Sequence, residues 1–117
     1  MRFNRSAPTV MTLLIALALC APLVAVAQTT KPSRHAVSIK SMQFSPTSLT
    51  VKVGDTVTWT NADDRDHTVV ASDSSFKSDN LRPKATFSHT FKKAGRFTYA
   101  CSYHPRMKAT IVVTDAK

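Results

Sequence analysis

Leu49-Thr50-Val51-Lys52-Val53-Gly54-Asp55-Thr56-Val57-Thr58-Trp59-Thr60 reads as two strands and the turn between them. Leu49, Val51 and Val53 alternate with Thr50 and Lys52 before the turn, and Val57 and Trp59 alternate with threonines after it. A period of two places one set of side chains on one face of a sheet. The β-branched content suits a half-buried strand, and Gly54-Asp55 supplies the turn.

The same pattern continues outward. His35 to Lys40 alternates through Val37 and Ile39, and Ser45-Pro46-Thr47-Ser48 is a turn. Asn61 to Asp66 is a polar loop that delivers His67 to a strand running through Val69 and Ala71. Ser72 to Lys84 is polar and irregular, with one turn of helix expected near Asp79 to Leu81. Thr86 to Phe91 places Phe87, His89 and Phe91 on one face, and Lys92 to Gly95 turns the chain. Phe97, Tyr99 and Cys101 share the inner face of the next strand, and Lys108 to Thr114 closes the sheet with Ile111 and Val113 inward. Seven or eight short strands without a helical period predict an all-β fold, an antiparallel Greek-key β-sandwich. Trp59, Phe87, Phe91 and Phe97 are assigned to its core.

Upstream of the strands the chain reads as a targeting segment. Arg2 and Arg5 form a basic start, Met11 to Leu19 is an apolar run, and Ala25-Val26-Ala27 gives a small-x-small cleavage pattern. Residues 1–27 are therefore expected to be a cleaved signal peptide with a core too short for a comfortable membrane span. Residues 28–34, with Lys31-Pro32-Ser33, are expected to be a flexible leader, and 35–117 one small domain. The expected location is the periplasm, as a monomer without stable membrane insertion. Sixteen Lys and Arg stand against seven Asp and no Glu. Loss of Arg2 and Arg5 leaves a net charge of about +7. The basic residues are scattered, with neither a dense stripe nor a nucleic-acid-binding module, so no nucleic-acid partner is expected. Such a field suits solubility and steering toward an acidic protein surface.

Cleavage after Ala27 discards Cys20 and leaves Cys101 as the only cysteine. An exported chain enters an oxidising compartment, where a single thiol must pair between chains, stay buried and inert, or be protected as a ligand. The surrounding loop, Cys101-Ser102-Tyr103-His104-Pro105-Arg106-Met107, favours the last. It sets a thiolate, an imidazole and a thioether three residues apart, with His67 available upstream. One Cys, two His and a weak Met sulfur are the donor set of a mononuclear copper centre that exchanges electrons. His35, near the start of the domain, and His89, on the inward face of its strand, are expected to be structural.

Taken in order, the motifs resemble the cupredoxins, the blue copper proteins. The matching elements are Phe44-Ser45-Pro46, Val51 to Asn61, Asp66-His67-Thr68-Val69, and Ala94 to Met107 with its Cys-x-x-His-x-x-Met spacing. That short loop is most similar to amicyanins. The resemblance implies His67, Cys101 and His104 as equatorial ligands of one copper ion and Met107 as the axial ligand. Two departures stand out: Tyr103 and Arg106 take the places of a Pro before the second His and an aromatic before the Met, and Ala109 follows Lys108 where the family often has Gly. The expected function is a periplasmic carrier of single electrons between redox partners, with an acidic docking surface on the partner. The alternative is a copper-binding module for delivery, storage or tolerance, although Met42 and Met107 alone make no methionine cluster in the sequence. No enzymatic role is expected, because Ala100 and Ser102 flank Cys101 where a copper enzyme of this family often carries a His. Asn61 or the Thr68 hydroxyl is expected to tie the His67 strand to the Cys101 loop. Pro105 offers no backbone N–H to the sulfur.

Overall fold

A computed structural model of the chain describes residues 31–116 and, apart from them, Pro22. The expected signal peptide over 1–27, Pro22 aside, and the first three residues of the expected leader lie outside the described residues. Among the described residues eight strands follow one another: β1 (Arg34–Lys40), β2 (Gln43–Ser45), β3 (Ser48–Lys52), β4 (Thr56–Asn61), β5 (Val70–Ala71), β6 (Thr86–Thr90), β7 (Gly95–Ala100) and β8 (Lys108–Thr114). They form two four-stranded sheets, ordered β2-β1-β4-β6 and β3-β8-β7-β5. Among the described residues no helix is long and apolar enough to cross a membrane.

The alternation seen in the sequence becomes the burial pattern. Val57 and Trp59 of β4 are fully buried, as are Val37 and Ile39 of β1 and Ile111 of β8. Trp59 stands opposite Val37 on one side and Phe87 on the other. Its ring meets Tyr99 of the facing sheet edge-on at 5.5 Å between centroids, and Phe76 at 5.6 Å. Aromatic contacts across the two inner faces thus make the core, while Thr56–Thr90 and Thr58–Ser88 hydroxyl pairs bridge β4 and β6 outside it. Phe87 and Phe97 are only partly buried against this core.

Three expectations need correction. The sheets are mixed rather than antiparallel, because β1 pairs with β4 and β3 with β8 in parallel. A hairpin can join only antiparallel neighbours. Here residues 41–55 travel through β2 and then β3 of the other sheet before returning as β4, so β4 can lie parallel to β1. No helical turn forms at Asp79–Leu81, where Leu81 instead makes an isolated bridge with His67. The leader segment is held at its end: Ser33 N–H donates to Asp55 Oδ1 at 2.9 Å, and Arg34 already belongs to β1.

Asp55 explains why the turn after β3 holds this start in place. Gly54 adopts φ 96°, a left-handed conformation that glycine reaches without a Cβ clash. The carboxylate of Asp55 then accepts from Lys52 N–H at 3.0 Å, from Ser33 N–H, and from His35 Nε2 at 2.9 Å. Those backbone donors, Lys52 first, hold its pKa down at about 2 despite burial.

Candidate metal centre

His67 is positioned by the end of β4. Asn61 is fully buried, and its amide donates to the carbonyls of Arg65 at 2.7 Å and Leu81 at 2.8 Å. Its Oδ1 accepts from Asp63 N–H at 3.0 Å. These bonds coil residues 61–66 into a compact loop that ends at His67. His67 then exchanges both backbone hydrogen bonds with Leu81, at 3.0 and 2.8 Å. Asn61 therefore fixes the loop before His67 and Leu81 beyond it; its side-chain bonds do not run to the Cys101 loop.

The ring of His67 is wholly buried, and Asp63 Oδ2 lies 2.9 Å from its Nε2. That hydrogen bond, with Met42 N–H on the same oxygen at 3.0 Å and Asp64 N–H on Oδ1, lowers the Asp63 pKa to about 2 against the cost of desolvation. An ionised carboxylate accepts, so Nε2 carries the proton and Nδ1 presents its lone pair. A carboxylate behind a histidine is a common device for fixing ring orientation and tautomer at metal sites.

Cys101 follows directly on β7 and is 1% exposed. Its Sγ lies 3.8 Å from Nδ1 of His67 and 3.8 Å from Nδ1 of His104. Thr68 N–H donates to Sγ at 3.4 Å. Thr68 Oγ1 accepts from Ser102 N–H at 2.8 Å and lies 2.7 Å from Ser102 Oγ. Thr68 is thus the tie between the His67 segment and the Cys101 loop. Burial pushes the Cys101 thiol up, and hydrogen bonds to the sulfur, Thr68 N–H first, pull it down.

The loop closes on itself. Cys101 N–H donates to the Met107 carbonyl at 3.2 Å, and Met107 N–H to the His104 carbonyl at 2.8 Å. Met107 is buried, whereas His104 stays half-buried. On the outside, Tyr103 OH donates to Asn80 Oδ1 at 2.8 Å, and Asn80 Nδ2 to Asp66 Oδ2 at 2.9 Å. This chain of bonds straps the residue before His104 to the residue before His67.

One donor atom each from His67, Cys101 and His104 lies within 4.8 Å of the others. Bonds of about 2.0 Å to nitrogen and 2.3 Å to sulfur in a trigonal plane would separate N from S by about 3.7 Å. The observed 3.8 Å from Sγ to each nitrogen matches that separation. His35 and His89 stay outside this group: His35 pairs with Asp55, and His89 packs on Phe76 and Phe91 at 5.0 and 4.8 Å. Burial lowers the pKa of His89, consistent with a neutral structural ring. Sequence reasoning missed Asp63 and Met42. Only the Asn-x-Asp spacing of a side-chain-capped turn, four residues before His67, hinted at the first.

A family model described as a cupredoxin-like domain matches residues 9–113. An amicyanin of Paracoccus denitrificans is 37% identical over 82 residues, covering 66% of this chain and 63% of that protein. The chain thus spans somewhat less than two thirds of that relative's length. A solved structure described as a novel purple cupredoxin from Nitrosopumilus maritimus superposes with a TM-score of 0.66 at 30% identity, covering 68% of this chain and 99% of the other. A Cu(I) structure of an amicyanin mutant gives a TM-score of 0.64 at 35% identity, with 68% of this chain and 81% of the other covered.

Proposed function

This chain belongs to the cupredoxin family, a family of copper proteins, and from that premise we propose that it carries single electrons in the periplasm through one type 1 copper site. In this reading His67, Cys101 and His104 are the equatorial ligands and Met107 the axial one. The observation that carries it is the placement of both imidazole Nδ1 atoms 3.8 Å from one buried sulfur, at the separation a trigonal site needs. Copper held this way supplies a one-electron couple whose two states tolerate nearly the same geometry.

The protein's own part is to keep that geometry still. Asp63 fixes the His67 ring, Thr68 fixes the sulfur and the start of the loop, and the Tyr103–Asn80–Asp66 chain braces its outside. His104 is the one half-buried member of the trio, so its ring edge is the path by which an electron enters and leaves. Arg65, Arg106 and Lys108 are exposed beside these ligands, which suits an acidic partner surface. Ala100 and Ser102 on either side of Cys101 offer no route to a second metal, in keeping with a carrier rather than an enzyme. Export rests on the expected signal peptide, and cell fractionation for a chain beginning at Gln28 tests it.

Voltammetry of the copper-loaded protein separates the carrier from the copper-handling alternative. A carrier gives a reversible one-electron wave and keeps its metal through repeated cycles. Release of the metal on each oxidation would favour delivery or storage.

A further inference from the structure

Beyond residue 27 the sequence has only two methionines, Met42 and Met107, 65 positions apart. The fold brings both to one surface groove of about 540 Å³, lined by Met42, Tyr103, His104, Arg106 and Met107 among others. A smaller recess beside it again shares Met42, Arg106 and Met107. Met42, Met107 and His104, two thioether residues and an imidazole, therefore line one groove.

The position of Met42 is unusual. Ser41 and Met42 form the β1–β2 turn with φ of 53° and 60°, left-handed values that favour Asn or Gly in such hairpins. A long side chain held in that region points to a local requirement other than turn formation. Its N–H is pinned to Asp63 Oδ2, the same oxygen that holds the His67 ring. The turn bearing the thioether is thereby locked to a ligand of the metal. His67 and Cys101 are buried, while Met42 and His104 are half-exposed, so an ion coming from solvent meets the outer pair first. Soft thioether donors select Cu(I).

We infer that Met42 is the receiving ligand for Cu(I), which it binds together with His104 and Met107 before the ion passes inward to Cys101 and His67. This rests on the copper reading of the inner site. The passage is ligand exchange without redox change: a weaker Cu(I) chelate gives up the ion, sulfur and nitrogen lone pairs replace its bonds, and the Cys101 thiol releases its proton to solvent.

The test is stopped-flow loading of the metal-free protein from Cu(I) bicinchoninate, comparing wild type with Met42→Leu and Met42→Asn. Leu keeps the bulk without the sulfur, and Asn suits the left-handed turn. Both variants should load slower by at least about tenfold, the lower end of what supporting groups contribute at metal sites. After oxidation they should show the same blue band as wild type, since the inner ligands are untouched. Loading of either variant as fast as wild type, with the band intact, overturns the role of Met42 and spares the copper reading. Failure of the wild type itself to take up copper would overturn both.

Discussion

Asp63 accepts from His67 Nε2 at 2.9 Å and leaves Nδ1 as the nitrogen facing Cys101 Sγ. Removing that carboxylate frees the ring to rotate or to change tautomer. Asp63→Ala should therefore weaken Cu(II) binding about 10–100-fold, measured by chelator competition; unchanged affinity would mean that packing alone orients His67. Thr68→Val keeps shape and backbone N–H but deletes the hydroxyl that accepts from Ser102 N–H. The expected cost is about 1 kcal/mol in denaturant unfolding; the hydroxyl's own 3.8 Å contact with Cys101 Sγ is lost with it, leaving Thr68 N–H as the donor to the sulfur. The proposed ligand set is legible in the sequence because Cys101, His104 and Met107 sit three residues apart on one loop. Asp63 could not, because its reach to His67 depends on how Asn61 folds the intervening loop, and Asn61 has two carbonyls to choose only once the chain is folded. For the same reason the sequence left Asn61 and Thr68 as equal candidates for the tie that Thr68 makes.

Ser72 to Lys84 carries more of the structure than its polar composition suggests. Phe76, Ser78 and Leu81 are buried, and Ser78 Oγ accepts from Val69 N–H at 2.8 Å. Isolated apolar residues in an irregular segment have no period, so periodicity could not mark them, and a helical turn was the nearest local pattern. Leu81 is extended because it pairs with His67, a contact distant in sequence. Phe76 touches Trp59, Phe91 and Tyr99, so Phe76→Ala should cost about 3–5 kcal/mol in denaturant unfolding; a loss under half of that would show the cavity collapsing. At the other turn, Asp55 joins the start of β1 to the loop after β3. Its pKa falls from 3.8 to about 2 on folding, so its ionised form stabilises the fold fully above the ordinary carboxylate range. That contribution is lost as pH drops from 3.8 through about 2. Asp55→Asn should flatten the fall in stability across this window, checked by urea unfolding at stepped pH; an equally steep fall would place the acid sensitivity elsewhere.

The two-sheet sandwich followed from alternation, which tells which face of a strand is buried but not which strand lies beside it. The parallel pairings of β1 with β4 and β3 with β8 are set by how the chain crosses between sheets, and no local pattern encodes that. What the whole fold achieves is to hold one loop and one distant histidine at a fixed separation. Its excess positive charge acts at longer range. Oxidation of the reduced protein by ferricyanide, an anion, should slow as ionic strength rises, while reaction with a cationic cobalt complex should quicken; equal salt dependence for both would remove charge steering from the account of partner choice. The copper site itself is tested most directly by adding Cu(II) to the metal-free protein and recording visible absorption for wild type and Cys101→Ser. The expected result is an intense thiolate-to-copper band that saturates at one ion per chain in the wild type, bleaches with ascorbate, and is absent in Cys101→Ser. A colourless wild type, or the same band in Cys101→Ser, would contradict the site.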